Sequence, residues 1–374
     1  MDHPIDIRAG TTEHFEDVCE LARHLNTVNL PDNPEAIWAL LQMSERSFSG
    51  EVCDPLAREY VFVLWDERQK RVIGTSMVIA QLGRRGVPYI YLKVGREEKY
   101  SQTLDRHFVH RVLTTRYSYD GPTEIGGLVM HPDFRRSPER LGSLIAYVRF
   151  LFIAMHRDAF RDELLAELLP PFEPDGTSPL WEAYGHRFTG LSYREADQLS
   201  KSNKEFVRGL FPDEIYATLL SDKAQRAIGE VGPETKGVEK MLRRIGFEYA
   251  ERVDPFDGGP HFTCVTDDVT LIQQGRMRSV AAVSSGGIAS PAAKGGESRA
   301  LLGRTFDGPP FFRAVPLIGE VLEAAEPADR NSGPRPGAPG GAKDDFSLLV
   351  SAELLGRLGI LDRGTAFWMP LPDR

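Results

Sequence analysis

The sequence predicts an α/β (α+β) protein with a mixed central sheet, followed by a small β-rich unit at the C-terminal end. Three observations predict it. Segments of strand and helix character alternate from the first residues to about residue 275. A helix that is apolar nearly all round, LGSLIAYVRFLFIAMHR, follows the strand EIGGLVM and an arginine-containing loop. Beyond about residue 279 the composition turns to Gly, Pro, Ala and Ser with short apolar pieces between.

In chain order, Ile5 to Arg8 reads as a strand. The helix that follows from about Thr12 sets Phe15, Val18, Cys19 and Ala22 on one face at three-and-four spacing. After the LPDNP turn a second helix carries Ile37, Leu40, Leu41 and Ser44 on its face. YVFVLWD (60–66) and RVIGTSMVIAQLG (71–83) are rich in β-branched and aromatic residues and flank the charged turn DERQK, which predicts a hairpin. The strand from Glu124 to Met130 leads through its arginine loop into the apolar helix, with Leu144, Ile145, Val148, Leu151 and Phe152, which must be buried because it has no polar face. GVEKMLRRIGFEY (237–249) reads as a helix, then a strand.

At 374 residues the chain exceeds what one core ordinarily fills, so two units are expected, 1–278 and 279–374. The stretches at about 284–298 and 327–345 bury too little apolar surface to order themselves and are expected to be flexible. The composition, 41% hydrophobic and 26% charged, is that of an ordinary soluble protein. No run approaches the roughly 20 apolar residues of a membrane span, and no export signal opens the sequence, so the cytoplasm is the expected location. Cys19, Cys53 and Cys264 are odd in number and far apart, which predicts reduced core thiols rather than disulfides. A net charge of −9 with scattered basic residues argues against a nucleic-acid surface. Nine histidines without HxxxH or HxH spacing give no local metal pattern, so no metal is expected.

A strand, an arginine loop and a buried helix form an arrangement able to hold a pyrophosphate on unpaired helix amides. It resembles the coenzyme A site of acyltransferases of the GNAT type, and Gly246-Phe247 after a helix resembles the ending of such domains. Longer strings narrow the resemblance. YVFVLWD, IGTSMVIAQLG, YLKVG, TEIGGLVMHPDFR, SPLWEAYGHRF, AIGEVGPET and FDGGP appear in the order found in the arginine N-succinyltransferases, over about residues 5–275. The resemblance implies a GNAT-like fold and transfer of a succinyl group from succinyl-CoA, as co-substrate, to the α-amino group of L-arginine. It implies no permanently bound cofactor, and a homodimer or a heteromer with a related subunit. It places succinyl-CoA binding at Leu128, which otherwise reads as a core strand leucine.

Three departures from the family pattern define the candidate residues. The family's proton-donating histidine corresponds to Gly232, which transfers no proton. Its flanking residues Glu230 and Glu234 are candidates for that task if poorly solvated, and otherwise solvated loop glutamates. The slot where GNAT domains often carry a tyrosine is Leu242. The phosphate loop is RRSPERLGSL, with Arg135, Arg136, Arg140 and Gly142 as candidate CoA ligands, because arginines meet phosphates bidentately where glycines are fewer. At AELLPPFEPDG, an arginine usual after Ala-Glu is missing. His131, His186 and His261 are further candidates for proton transfer, or satisfied surface and core imidazoles. Asp254 and Asp257 suit a guanidinium, or the turn that Asp-Gly-Gly-Pro signals. The alternatives to arginine succinylation are a non-catalytic or partner-subunit homologue, and an N-acyltransferase using another amine or acyl-CoA.

Overall fold

A computed structural model describes residues 4–24, 30, 32–84, 87–200, 203–282, 297–320, 322–325 and 346–372. Its strands are β1 (Ile5–Ala9), β2 (Glu59–Asp66), β3 (Arg71–Ile79), β4 (Tyr89–Ser101), β5 (Arg106–Ser118), β6 (Thr123–Met130), β7 (Glu163–Glu167) and β8 (Glu214–Tyr216). They continue with β9 (Glu248–Val253), β10 (Pro260–Val265), β11 (Arg276–Ala282), β12 (Glu297–Thr305), β13 (Phe312–Glu320), β14 (Leu322–Ala325), β15 (Phe346–Val350) and β16 (Arg363–Pro370). All join one mixed sheet in the order β14-β15-β11-β16-β12-β13-β1-β2-β3-β6-β7-β10-β9-β4-β5-β8.

Both faces of the sheet centre are covered, which explains why β2 and β3 are apolar without alternation. Along β2 the side chains still alternate. Tyr60, Phe62 and Leu64 enter the main core, while Val61 and Val63 enter a second core. That second core packs under α1 (Phe15–His24) and α2 (Pro34–Phe48). Asn33 caps α2 by accepting from the Ala36 amide at 3.1 Å, with Pro34 at the first helical position, a combination suited to a helix start. Ile37, Leu41 and Ser44 are buried as the spacing predicts.

The opposite face carries α3 (Leu141–Met155), whose residues are buried almost throughout. Gly303 lets it approach β12: a Cβ there would lie 2.5 Å from Leu151 Cδ2. The α3 helix therefore packs on the C-terminal strands as well as on β2 and β3.

The boundary expected near residue 278 falls inside β11. Strands on either side of it share the sheet, since β13 pairs with β1 at Ile7–Ala314 and Arg8–Arg313. Arg357 Nε also donates to the buried Asp6 carboxylate at 2.8 Å. The C-terminal strands are β-rich as expected and have a small core of their own, around Val280, Leu302, Val315, Leu348 and Leu355. The Gly/Pro-rich stretches at 284–298 and 327–345 lie outside the described residues, apart from the first residues of β12. One expectation is corrected: Cys19 and Cys264 are buried, but Cys53 is exposed, because it sits in the polar turn between α2 and β2. Among the described residues no helix is long and apolar enough to cross a membrane.

Candidate active site

The parallel strands β6 and β7 pair only at Thr123–Leu164 and Glu124–Leu165. Beyond Glu124 no further pairing is made, and a wedge opens in the sheet. Continuing the register would set Gly126 opposite Glu167, so these two residues stand on opposite lips of the wedge. The β6 lip is irregular. Its register with β3 shifts between Met77–Gly126 and Thr75–Val129, a bulge at Gly127 and Leu128 where Gly127 takes φ +57°. Bulges release backbone groups from the ladder and re-aim side chains. Thr75 Oγ1 donates to the Gly127 carbonyl at 3.1 Å and fixes it.

Past Met130 the chain makes one tight turn, Pro132–Phe134, and reaches α3. Arg136 and Arg140 adopt φ of 64° and 56°, the left-handed region that glycine favours. Arginines thus occupy the bends that glycines would otherwise make. Arg135 and Arg136 are exposed and Arg140 is half-buried. Arg135 Nε donates to the Met130 carbonyl at 3.1 Å, and Ser143 Oγ to the Arg140 carbonyl at 2.7 Å. Gly142 has ordinary room, a Cβ there being 3.7 Å from Met130 Cγ.

Two further arginines converge here from distant segments. Arg299 of β12 donates through Nη2 to the Glu139 carbonyl at 2.8 Å. Burial, then the nearby Arg140 charge, holds its guanidinium below the ordinary value. The buried Tyr147 hydroxyl of α3 makes no hydrogen bond among the described residues. Burial pushes it up, while Arg244, Arg140 and Arg299 pull it down. The start of α3 is therefore strongly basic.

The β7 lip is acidic. Glu167 ends β7, and His261 lies opposite it on β10. The turn between β9 and β10 is tied by Asp254, whose Oδ1 accepts from the Phe256 and Asp257 amides at 2.7 and 3.0 Å. Asp257 Oδ1 accepts from the Gly259 amide at 2.7 Å, and Tyr193 donates to Asp257 Oδ2 at 3.2 Å. Glu167 keeps 35% of its side-chain surface, so it lines the recess rather than lying beneath it. Its carboxyl is pushed well above the usual range, by burial first, then by the charges of Glu124, Asp254 and Asp257, with Lys204 opposing. Burial, then Asp254, pushes Asp257 up likewise. Burial also raises Asp254, against the pull of the Phe256 and Asp257 amides. Several carboxylates in a poorly solvated recess share fewer charges than they have groups.

His261 is fully buried. Burial and the neighbouring Arg252 charge lower it to about 3, so the ring is neutral. Its Nδ1 is 2.7 Å from the Tyr89 hydroxyl, which burial keeps protonated. In the tautomer in which the phenol donates to Nδ1, the imidazole proton lies on Nε2, which faces Glu167 at 3.4 Å. Glu167, Asp254 and His261 present ligand atoms within 4.8 Å of one another. No local sequence pattern announces this trio, and its chemistry suits a cation, whether an ammonium, a guanidinium or a metal ion.

The expected residues fall into two groups. Arg135, Arg136, Arg140 and Gly142 lie at the basic start of α3, Leu128 on the bulged lip, and Asp254 and Asp257 at the acidic one. Of the candidate proton carriers, only His261 lies there, opposite Glu167. Glu230 and Glu234 are exposed. His186 is exposed, with Nδ1 3.0 Å from the Leu191 carbonyl. His131 is buried, accepts from the Asp133 amide at 3.3 Å and lies 3.8 Å from Glu20 of α1. Gly232 donates to the Leu169 carbonyl at 2.8 Å, and a Cβ there would stand 2.6 Å from the Pro170 carbonyl oxygen. Leu242 is buried. Sequence reasoning passed over Glu167, Tyr89 and Arg299. For Glu167 a signal existed, a carboxylate closing the apolar strand ELLAE beside the missing arginine. A recess of about 590 Å³ between residues 173–187 and 219–223 shares none of these residues.

A parted pair of parallel strands, with a basic helix start at one end and a perturbed carboxylate on the facing lip, defines an acyl-CoA-dependent acyltransferase of the GNAT type. The family model of the arginine N-succinyltransferase beta subunit matches residues 5–271, and the chain belongs to this family. The arginine N-succinyltransferase of Yersinia pestis is 31% identical over 278 residues, 73% of this chain and 78% of the relative. The arginine N-succinyltransferase subunit beta of Pseudomonas aeruginosa is 33% identical over 292 residues, 76% of this chain and 84% of the relative. The solved structure of the arginine/ornithine succinyltransferase subunit AI from Pseudomonas aeruginosa superposes with a TM-score of 0.77 at 26% identity, covering 99% of this chain and all of that one.

Proposed function

We propose that this protein transfers the succinyl group of succinyl-CoA to the α-amino group of L-arginine, with Glu167 as the base. The observation that carries the reading is the wedge itself, with Gly126–Met130 on one lip and Glu167 on the other. Arg135, Arg136, Arg140 and Arg299 meet the phosphates of CoA beside the first amides of α3. The pantetheine arm follows β6, and a backbone amide at the Gly127–Leu128 bulge donates to the thioester oxygen, which gains charge in the transition state.

Arginine enters as a dication at its α-amino and guanidinium groups, and Asp254, Asp257 and Glu124 supply the opposite charge. The ammonium gives its proton to Glu167, whose raised affinity for a proton suits that task. His261, held by Tyr89, faces the same carboxylate through Nε2 at 3.4 Å. The free amine attacks the thioester carbon. The C–N bond forms, the attacking nitrogen releases its second proton to solvent, the C–S bond breaks, and CoA leaves as a thiolate that takes a proton from solvent, since Leu242 offers none. Glu230, Glu234, His131 and His186 take no part in this reading.

The test is release of free thiol from succinyl-CoA with and without arginine. Release that depends on arginine supports the reading. CoA binding without release above the uncatalysed rate, with arginine, ornithine or other amines, favours a non-catalytic homologue.

A further inference from the structure

Arg149 lies in the middle of α3, buried to 3% of its surface, among apolar neighbours of the main core. Nε donates to the Ala146 carbonyl of its own helix at 2.9 Å, and Nη1 to the Gly126 carbonyl of β6 at 3.2 Å. Burial alone lowers it to about 10, so the guanidinium stays charged at neutral pH, and among the described residues no neighbouring charge offsets it. A buried cation without a counter-charge is costly. Two carbonyls engage only part of a group with five N–H donors.

Its place along the wedge is informative. From the start of α3 to Arg149 the helix rises about 12 Å. From Met130 back to Gly126 the strand covers about 13 Å. Arg149 therefore stands at the depth of Gly126, beyond the bulge at Leu128 and away from the phosphate end. A CoA ester anchored by its phosphates at residues 135–142, with its thioester at the bulge, directs its acyl chain to this depth.

Resting on the acyl-CoA reading above, we propose that Arg149 is the specificity residue for the acyl group, pairing with the free carboxylate at the far end of the succinyl chain. The carboxylate supplies the charge that the site lacks, and the planar guanidinium meets it bidentately. An acyl chain without that carboxylate leaves the cation unpaired, so the site discriminates against uncharged acyl groups of the same length. Glu167 on the facing lip makes the opposite selection, for the cationic amine.

The experiment compares succinyl-CoA with butyryl-CoA, which has the same chain length and no charge, by calorimetric Kd and by KM. The unaltered protein is expected to prefer succinyl-CoA by at least about tenfold. Arg149→Met removes the preference by weakening succinyl-CoA about 10- to 100-fold while leaving butyryl-CoA within about threefold. Arg149→Lys, which keeps the charge and is the safer variant for folding, retains part of the preference. Equal weakening of both esters in Arg149→Met overturns the proposal and leaves Arg149 as a tie between α3 and β6. Equal binding of both esters by the unaltered protein overturns it too, while leaving the acyltransferase reading intact. Failure of both esters to bind sinks that reading and this proposal together.

Discussion

Glu167 Oε1 lies 3.4 Å from Nε2 of His261, a buried nitrogen with no hydrogen-bond partner among the described residues. The two residues face each other across β7 and β10. Burial acts on them in opposite senses, raising the carboxyl and lowering the imidazole. Burial therefore favours the neutral form of each.

Glu167→Gln keeps the shape of the side chain and removes the base. We expect kcat to fall by about 100- to 1,000-fold with little change in the KM for succinyl-CoA. The unaltered enzyme should lose activity as pH falls through the raised Glu167 value, so the acid limb of its kcat/KM profile lies above the ordinary carboxylate value of about 4.3. That limb disappears from the residual activity of the variant. An unchanged profile would remove Glu167 from the mechanism.

Acid stability should report His261. The folded ring binds its proton only near pH 3, whereas the unfolded ring binds it near 6.5. Between these values the unfolded state holds more protons, so stability is complete above about pH 6.5 and falls with pH by up to about 1.4 kcal/mol per unit. His261→Gln should flatten this slope in urea unfolding measured from pH 7 to 4.5. An identical slope in the variant would contradict the assignment.

A histidine introduced at Gly232, where the sequence resemblance expects one, should bring no gain. A Cβ at this position meets the Pro170 and Leu169 carbonyl oxygens at 2.6 and 2.9 Å, and both are backbone atoms that yield little. Gly232→Ala and Gly232→His are each expected to destabilise by about 1–3 kcal/mol, read as a lower Tm, with no gain in kcat. A Gly232→His variant that gains activity would show that the loop adapts.

Arg299→Ala should raise the KM for succinyl-CoA about tenfold and leave the KM for arginine unchanged, because Arg299 stands at the basic start of α3 and away from the acidic lip. The succinyl-CoA effect should shrink at high salt, where phosphate contacts are screened. A change confined to arginine would place Arg299 elsewhere in the reaction.

Treatment with a chelator should leave thiol release unchanged if Glu167, Asp254 and His261 receive the substrate's amine. Loss of activity that added zinc or manganese restores would show instead that the trio holds a metal ion.

Much of this was legible in the sequence because it rests on local rules. The β-branched and aromatic runs of β2 and β3, the proline-led start of α2 and the apolar α3 each state their structure through neighbours a few residues apart. The order of the motifs carried the family. The phosphate loop was legible in outline too, since its arginines adjoin the start of α3 in the chain. Glu230 and Glu234, beside Gly232 in the chain, are exposed, because proximity in sequence to one position does not by itself place a side chain at the wedge.

The sequence by itself determined the strand-loop-helix unit from Thr123 to Met155, the helices and strands around it, and the family. Only the tertiary structure decided which carboxylate faces the wedge and which arginines share its basic end. Glu167, Asp254 and His261 are joined by antiparallel pairing of β7 with β10 and by a turn, and Arg299 reaches Arg140 because β12 packs under α3. These contacts span up to about 160 residues of chain. Their chemical consequence, a carboxyl raised by burial and by like charges, exists only after folding has excluded water and fixed the charges at short range.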